Sequence, residues 1–145
     1  MFKTILVPTD GSPLADKAVE TAIVFARETG AKLVAISVAE PYPFSPLSER
    51  AMLDDASVFE TGTRDAAKIY VKKVADTARA AGVDCETVVA LSGSPYREIV
   101  DAAENMKCDA IFMASHGRQG LTRLFVGSET QKVLAHTELP VLVVR

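Results

Sequence analysis

Cysteine, surplus positive charge and long apolar runs are all scarce in this chain of 145 residues. Cys85 and Cys108 are the only cysteines, without metal-ligand spacing, and read as small residues at strand ends that a reducing compartment keeps as thiols. Sixteen basic residues against nineteen acidic ones give a net charge of −3, so charge offers no reason to expect nucleic acid or an anionic membrane as partner. No run approaches the roughly 20 apolar residues of a membrane span. The first residues read as a strand and not as a secretory leader, so the expected address is the cytoplasm. What is present suits one globular domain spanning 1–145, with 48% apolar and 24% charged residues.

Lys3 to Pro8 is a short β-branched-rich run that ends in turn chemistry, Thr9-Asp10-Gly11-Ser12-Pro13. Ser12 followed by Pro13 predicts a helix start, with a hydroxyl to cap the first N–H groups and a proline where none is needed. That helix carries Ala15, Ala18, Val19, Ala22, Phe25 and Ala26 on one face and stops at Thr29-Gly30. Leu33 to Val38 is apolar almost throughout, as in a strand covered on both faces. Pro41, Pro43 and Pro46 then end regular structure. Residues 48–63 are ambiguous, with helical propensity in Glu49 to Leu53 and a break expected near Thr61-Gly62-Thr63. From Arg64 a helical stripe of Ala67, Tyr70, Val71, Val74, Ala78 and Ala81 runs to Gly82.

Cys85 to Leu91 is the most polar strand, which suits an edge. Ser94-Pro95 repeats the cap-plus-proline start ahead of a stripe of Tyr96, Ile99, Val100, Ala103 and Met106. Ala110 to Met113 reads as a buried strand, Gln131 to His136 as part of a last helix, and Leu139 to Val144 as a very apolar final strand. His136 is expected at the surface, favoured by the helix dipole. Strands alternating with helices predict an α/β fold: an open, doubly wound, five-stranded parallel sheet flanked by helices, Rossmann-like, in the order 3-2-1-4-5. Ligands of such sheets lie beyond the carboxyl ends of the strands, where the winding reverses. If the first and fourth strands are neighbours, Pro8 to Ser12 and Ala114 to Ser128 face one crevice.

The second of those loops holds the chemistry. Met113 to Thr130 carries three glycines, two arginines and four hydroxyl residues, and its Gly127-Ser128 falls where a helix should begin. Glycine lets a backbone approach a ligand closely, and a helix start favours an anion, so phosphate is the natural guest. Two familiar phosphate patterns are missing, the G-x-G-x-x-G fingerprint after the first strand and the P-loop ending in Gly-Lys-Ser/Thr. In the division of work expected here, Gly117 admits the backbone to the ribose and first phosphate. Gly127, Ser128 and Thr130 then supply N–H and hydroxyl donors, and Arg118 or Arg123 offsets charge. The plainer alternative is a glycine-containing surface loop before a capped helix. Asp10 could accept a ribose hydroxyl or help hold a metal through water, or serve only as an Asx-turn acceptor. His116 is a candidate general base, but no serine, cysteine and carboxylate set surrounds it at a catalytic spacing.

Taken together these segments resemble the universal stress protein family over essentially the whole length. The resemblance rests on Ile-Leu-Val-Pro-Thr-Asp-Gly-Ser at the start, Ala-Ser-His-Gly-Arg-x-Gly-Leu, the Gly-Ser before the last helix, and the Pro-Val-Leu-Val-Val ending. Nucleotide-binding members carry glycine, two residues, glycine, nine residues, glycine, then serine or threonine. Gly117, Gly127 and Ser128 match the later part, and Ala114 replaces the first glycine, adding a methyl group beside the expected ribose. The resemblance implies that Pro8, Thr9 and Asp10 line adenine and ribose, and that the backbone of Val38 reads the adenine edge. It implies further that Met113 and Ala114 border the ribose, while Gly117, Arg118, Gly127, Ser128 and Thr130 hold the phosphates of ATP with Mg2+. It also implies a homodimer paired through Val141 to Val144; coverage of that strand by a local helix is the alternative. The serine- and glycine-rich loop of related adenylating enzymes is missing after the first strand.

The resulting expectation is a stress-linked nucleotide sensor or adaptor with at most slow ATP hydrolysis, because no residue is placed to activate water. Two alternatives stay open: a dimeric adaptor that binds no nucleotide, and a phosphotransfer enzyme or ATPase using Asp10 or His116.

Overall fold

A computed structural model describes residues 1–43, 52–117 and 126–145, the side chains of 52–54 excepted. Elements alternate along the chain as β1 (Thr4–Pro8), α1 (Pro13–Thr29), β2 (Lys32–Ala39), α2 (Met52–Ala80), β3 (Cys85–Leu91), α3 (Pro95–Asn105), β4 (Ala110–Ala114), α4 (Ser128–His136) and β5 (Val141–Val144). All pairings are parallel, and the sheet order is β3-β2-β1-β4-β5. That is the expected doubly wound order. The three central strands are apolar because helices cover both their faces. Ile5, Val7, Leu33, Ala35 and Phe112 pack toward α1 and α2, while Leu6, Val34, Ile36, Ile111 and Met113 pack toward α3 and α4. Each large side chain so buried contributes about 1.5–3 kcal/mol. β3 and β5 are the edges, and the exposed Glu86 and Thr87 explain why β3 reads as polar.

Local signals account for most boundaries. The Ser12 hydroxyl accepts the Ala15 N–H at 3.2 Å and Pro13 follows it, so α1 starts as expected. Gly30 closes α1 at φ 74°, a conformation that costs glycine little. Two expectations need correction. The break near Thr61-Gly62-Thr63 does not occur: α2 runs unbroken through it. Tertiary contacts hold these turns, since the Thr63 hydroxyl bonds Glu40 O at 3.0 Å, Glu60 Oε1 accepts the Tyr42 N–H at 3.2 Å, and the Tyr42 and Phe59 rings meet edge to face. Ser94 does not cap α3 with its side chain. Instead Glu129 Oε2, from α4, accepts the Tyr96 N–H at 3.0 Å. Most of the helical propensity assigned to Glu49 to Leu53 lies outside the described residues.

Both cysteines are buried thiols, Cys85 at the start of β3 and Cys108 two residues ahead of β4. Burial pushes both thiols up, with Cys108 reaching about 11, helped by the nearby Asp109 and Glu86 charges. No helix among the described residues is long and apolar enough to cross a membrane.

Candidate functional site

The winding reverses between β1 and β4, which are neighbours in the sheet but follow one another only after two intervening strands. Beyond their carboxyl ends the two loops singled out in the sequence meet. Pro8 ends β1 half-buried, and Thr9 continues the sheet by donating its N–H to Ile36 O at 2.8 Å. The Thr9 hydroxyl accepts the Gly11 N–H at 3.1 Å, and Asp10 Oδ1 accepts the Ser12 N–H at 2.9 Å. Asp10 therefore does make the Asx turn. Its other oxygen faces the opposite loop: a Cβ built on Gly117 would stand 2.6 Å from Asp10 Oδ2. Gly11 has φ 74°, and a side chain there would run into the Tyr70 ring, so the Asp10 loop is held between α2 and Gly117.

On the other side of the crevice the start of α4 is stitched to the end of β4. Ser115 N–H donates to Val144 O at 2.8 Å, and Ser115 O accepts the Gly127 N–H at 2.6 Å. The Thr130 hydroxyl reaches Ala114 O at 3.0 Å and Ser115 O at 3.2 Å. Gly127 has an ordinary φ of −61°; what it needs is room. A Cβ on it would lie 3.1 Å from Ser115 O and from Cα and Cβ of His116. This close approach leads straight into α4, whose first intrahelical bond runs from Gln131 N–H to Gly127 O at 3.0 Å. The N–H groups of Ser128, Glu129 and Thr130 precede that bond and point out of the helix start, the arrangement that receives an anion.

Val38 lies near the end of β2, past the last residue of β1 that pairs with it, since Pro8 stands opposite Ile36. Ile36 O faces β1 and Ala39 O faces β3, where it accepts the Ser92 N–H. Alternation along the strand therefore turns the Val38 peptide groups to the β1 side, over the crevice. A donor and an acceptor so placed match the N1 and N6 edge of adenine and mismatch guanine.

The remaining candidates fall out differently. Ala114 ends β4 half-buried at the crevice, while the Met113 side chain is buried in the core toward α3 and α4. Thr130 is 2% exposed, and its hydroxyl is spent on joining α4 to β4. Ser128 is exposed at the helix start. Arg118 and Arg123 lie outside the described residues. A contact absent from the sequence reading is Ser115 Oγ at 3.1 Å from His116 Nδ1, which orients the imidazole beside Gly127; the adjacent Ser-His pair at a strand end was its signal. His136 is exposed in the last turn of α4, as expected, against the Tyr96 ring. Among the described residues no three histidines, cysteines or carboxylates converge as a metal site.

Comparison with known proteins fits this geometry. A universal stress protein of Methanocaldococcus jannaschii is 35% identical over 145 residues, covering all of this chain and 83% of its own. The structure of the universal stress protein UspA from Lactobacillus plantarum superposes with a TM-score of 0.86 at 26% identity, covering 99% of this chain and 97% of that one. A universal stress protein crystallised in complex with cAMP is 29% identical, with a TM-score of 0.69 over 99% of this chain and 97% of its own. The profile of the universal stress protein family matches residues 1–145, and the chain belongs to that family.

Proposed function

We propose that this protein binds ATP with Mg2+ in the crevice between the β1 and β4 loops and acts as a stress-linked nucleotide sensor or adaptor in the cytoplasm. The observation that carries this reading is the close approach of Asp10 to Gly117, where a Cβ would stand 2.6 Å from Asp10 Oδ2, beside the start of α4 that Gly127 lets pack against Ser115 and His116. The cAMP complex of a 29% identical relative supports an adenine nucleotide as the guest. Adenine would lie against the Val38 backbone and the ribose between Asp10 and Ala114. The phosphates would reach Gly117 and the N–H groups of Ser128 and Thr130 beside Gly127, whose own N–H is held by Ser115 O, with Arg118 offsetting their charge. Asp10 would supply a carboxylate oxygen toward Mg2+, which phosphate oxygens and water would otherwise hold. Hydrolysis would be slow: Asp10 is engaged in its turn, and His116 is held against Ser115.

A homodimer through β5 belongs to the same reading. β5 is an edge strand, and Leu142 on it is 40% exposed, so the flanking helices leave it incompletely covered.

The thermal unfolding midpoint with Mg2+-ATP, ADP and GTP tests the nucleotide reading. Ligand at a hundred times its Kd adds about 2.7 kcal/mol, or about 5 to 10 °C for a domain of this size. A shift of that order with ATP, small with GTP and lost in Gly127→Val, supports the site. No shift at millimolar ATP sinks it and favours the adaptor that works without nucleotide.

A further inference from the structure

The far edge of the sheet carries a surface that the nucleotide crevice does not use. Leu33 N–H donates to Asp84 O at 2.9 Å and Ser92 N–H to Ala39 O at 3.0 Å, so Glu86, Val88 and Ala90 turn their peptide groups toward β2. Alternation turns those of Thr87, Val89 and Leu91 the other way, along the side of β3 that pairs with no strand among the described residues. A groove of about 220 Å³ runs beside this edge, floored by Val71, Ala75 and Val89 and rimmed by Lys68, Lys72 and Arg79 of α2. Asp76 pairs with Lys72 at 2.6 Å and with Arg79 at 4.0 Å. Three cations against that one carboxylate make the groove locally basic in a chain whose net charge is −3.

We infer that this edge accepts an extended acidic segment of a partner protein as a sixth strand. Its backbone bonds Thr87, Val89 and Leu91, and its carboxylates on one face lie over Lys68, Lys72 and Arg79. The spacings agree. Lys68 and Lys72 are about 6 Å apart along the helix axis, and side chains on one face of a strand repeat every 6.4–6.8 Å or so. A second copy fits worse, because its β3 would bring its own Lys68, Lys72 and Arg79 against these.

The test is an amide-resolved NMR titration of the full chain with a blocked octapeptide of alternating glutamate and valine. The expected result is saturable shifts at Thr87, Val89 and Leu91 that weaken with salt. Affinity falls about tenfold in the double variant Lys68→Glu, Lys72→Glu, and binding vanishes when the peptide's inward amides are N-methylated. Both lysines are exposed, so the variant keeps its fold and its Mg2+-ATP thermal shift, which separates this result from any failure of the nucleotide site. Equal binding of a lysine-for-glutamate peptide overturns the inference. So do shifts confined to the β1–β4 crevice, concentration-dependent self-association through β3, or no shift at millimolar peptide.

Discussion

The Glu129 carboxylate, in the first turn of α4, accepts the backbone N–H of Tyr96, in the first turn of α3, at 3.0 Å. One side chain thus does for α3 what Ser94 was expected to do, and it couples two helices that cover the same face of the sheet. Glu129→Ala should lower stability by about 1 kcal/mol, the scale of a lost N-cap, and the midpoint by about 2–5 °C. Its ion pair with Lys132 is half exposed and adds little. Ser94→Ala should fall within about 0.5 kcal/mol of the parent. Thermal unfolding of the two variants decides the matter, and a larger loss for Ser94→Ala would return the cap to Ser94.

Gly117→Ala should act on the crevice more than on the fold. Gly117 is exposed, yet its new Cβ would press on Asp10 Oδ2, so Asp10 must turn away and its bond to the Ser12 N–H is disturbed. The midpoint without nucleotide should move by less than about 3 °C, while the increment added by Mg2+-ATP should shrink by at least half. An undiminished increment would place the ribose away from Asp10.

Where a rule is local, the sequence was easy to read. Ser12-Pro13, Gly30, the polar first half of β3 and the Gly127-Ser128 helix start each act on their own backbone, and the structure has them where the pattern puts them. The meeting of Asp10 with Gly117 was legible one level up, because strand alternation places β1 beside β4. Contacts made across the fold were not. Glu129 lies 33 residues from the amide that it caps, and the turns around Gly62 are held by residues that follow β2. Thr130 looked like a phosphate ligand because its hydroxyl is polar; only the depth of its burial shows that the hydroxyl closes the joint between β4 and α4.

Gly62 offers a direct check on the unbroken helix. It sits within α2 with nothing within 4 Å of a would-be Cβ, so alanine meets no obstacle there. Gly62→Ala should therefore raise stability by about 0.5–1 kcal/mol through helix propensity and a more restricted unfolded chain. A loss of stability or of helical circular dichroism would mean that the segment is not helical in solution.

Cys108 makes the alkaline limb of stability sensitive to one thiol. Its pKa stands near 11 in the fold against 9.0 for the ordinary group, mainly through burial. Between those values the unfolded chain releases the proton while the folded chain keeps it. Stability is therefore lost as pH rises from about 9 toward about 11, and below about 9 this group contributes no pH dependence. Other groups titrate in the same range, so the informative quantity is the difference between the parent and Cys108→Ala. The parent should fall more steeply over that window, and in the folded state its thiol should resist a thiol reagent at pH 8 until the chain unfolds. Parallel alkaline limbs would mean that the thiolate is tolerated in the fold.

Leu142 carries the prediction about assembly. It stands opposite Phe112 in the β4–β5 register, yet it is 40% exposed, on a strand whose outer side pairs with nothing among the described residues. A β5–β5 pairing across a two-fold axis would cover it and would join two sheets into one. Leu142→Glu puts like charges on both sides of that axis while leaving the half-exposed position in water in the monomer. Sedimentation at micromolar concentration should show the parent at twice 15.5 kDa and the variant at 15.5 kDa, with little change in far-ultraviolet circular dichroism. A parent that sediments at 15.5 kDa rules out a stable β5 dimer, and a variant that stays dimeric moves the interface to another face.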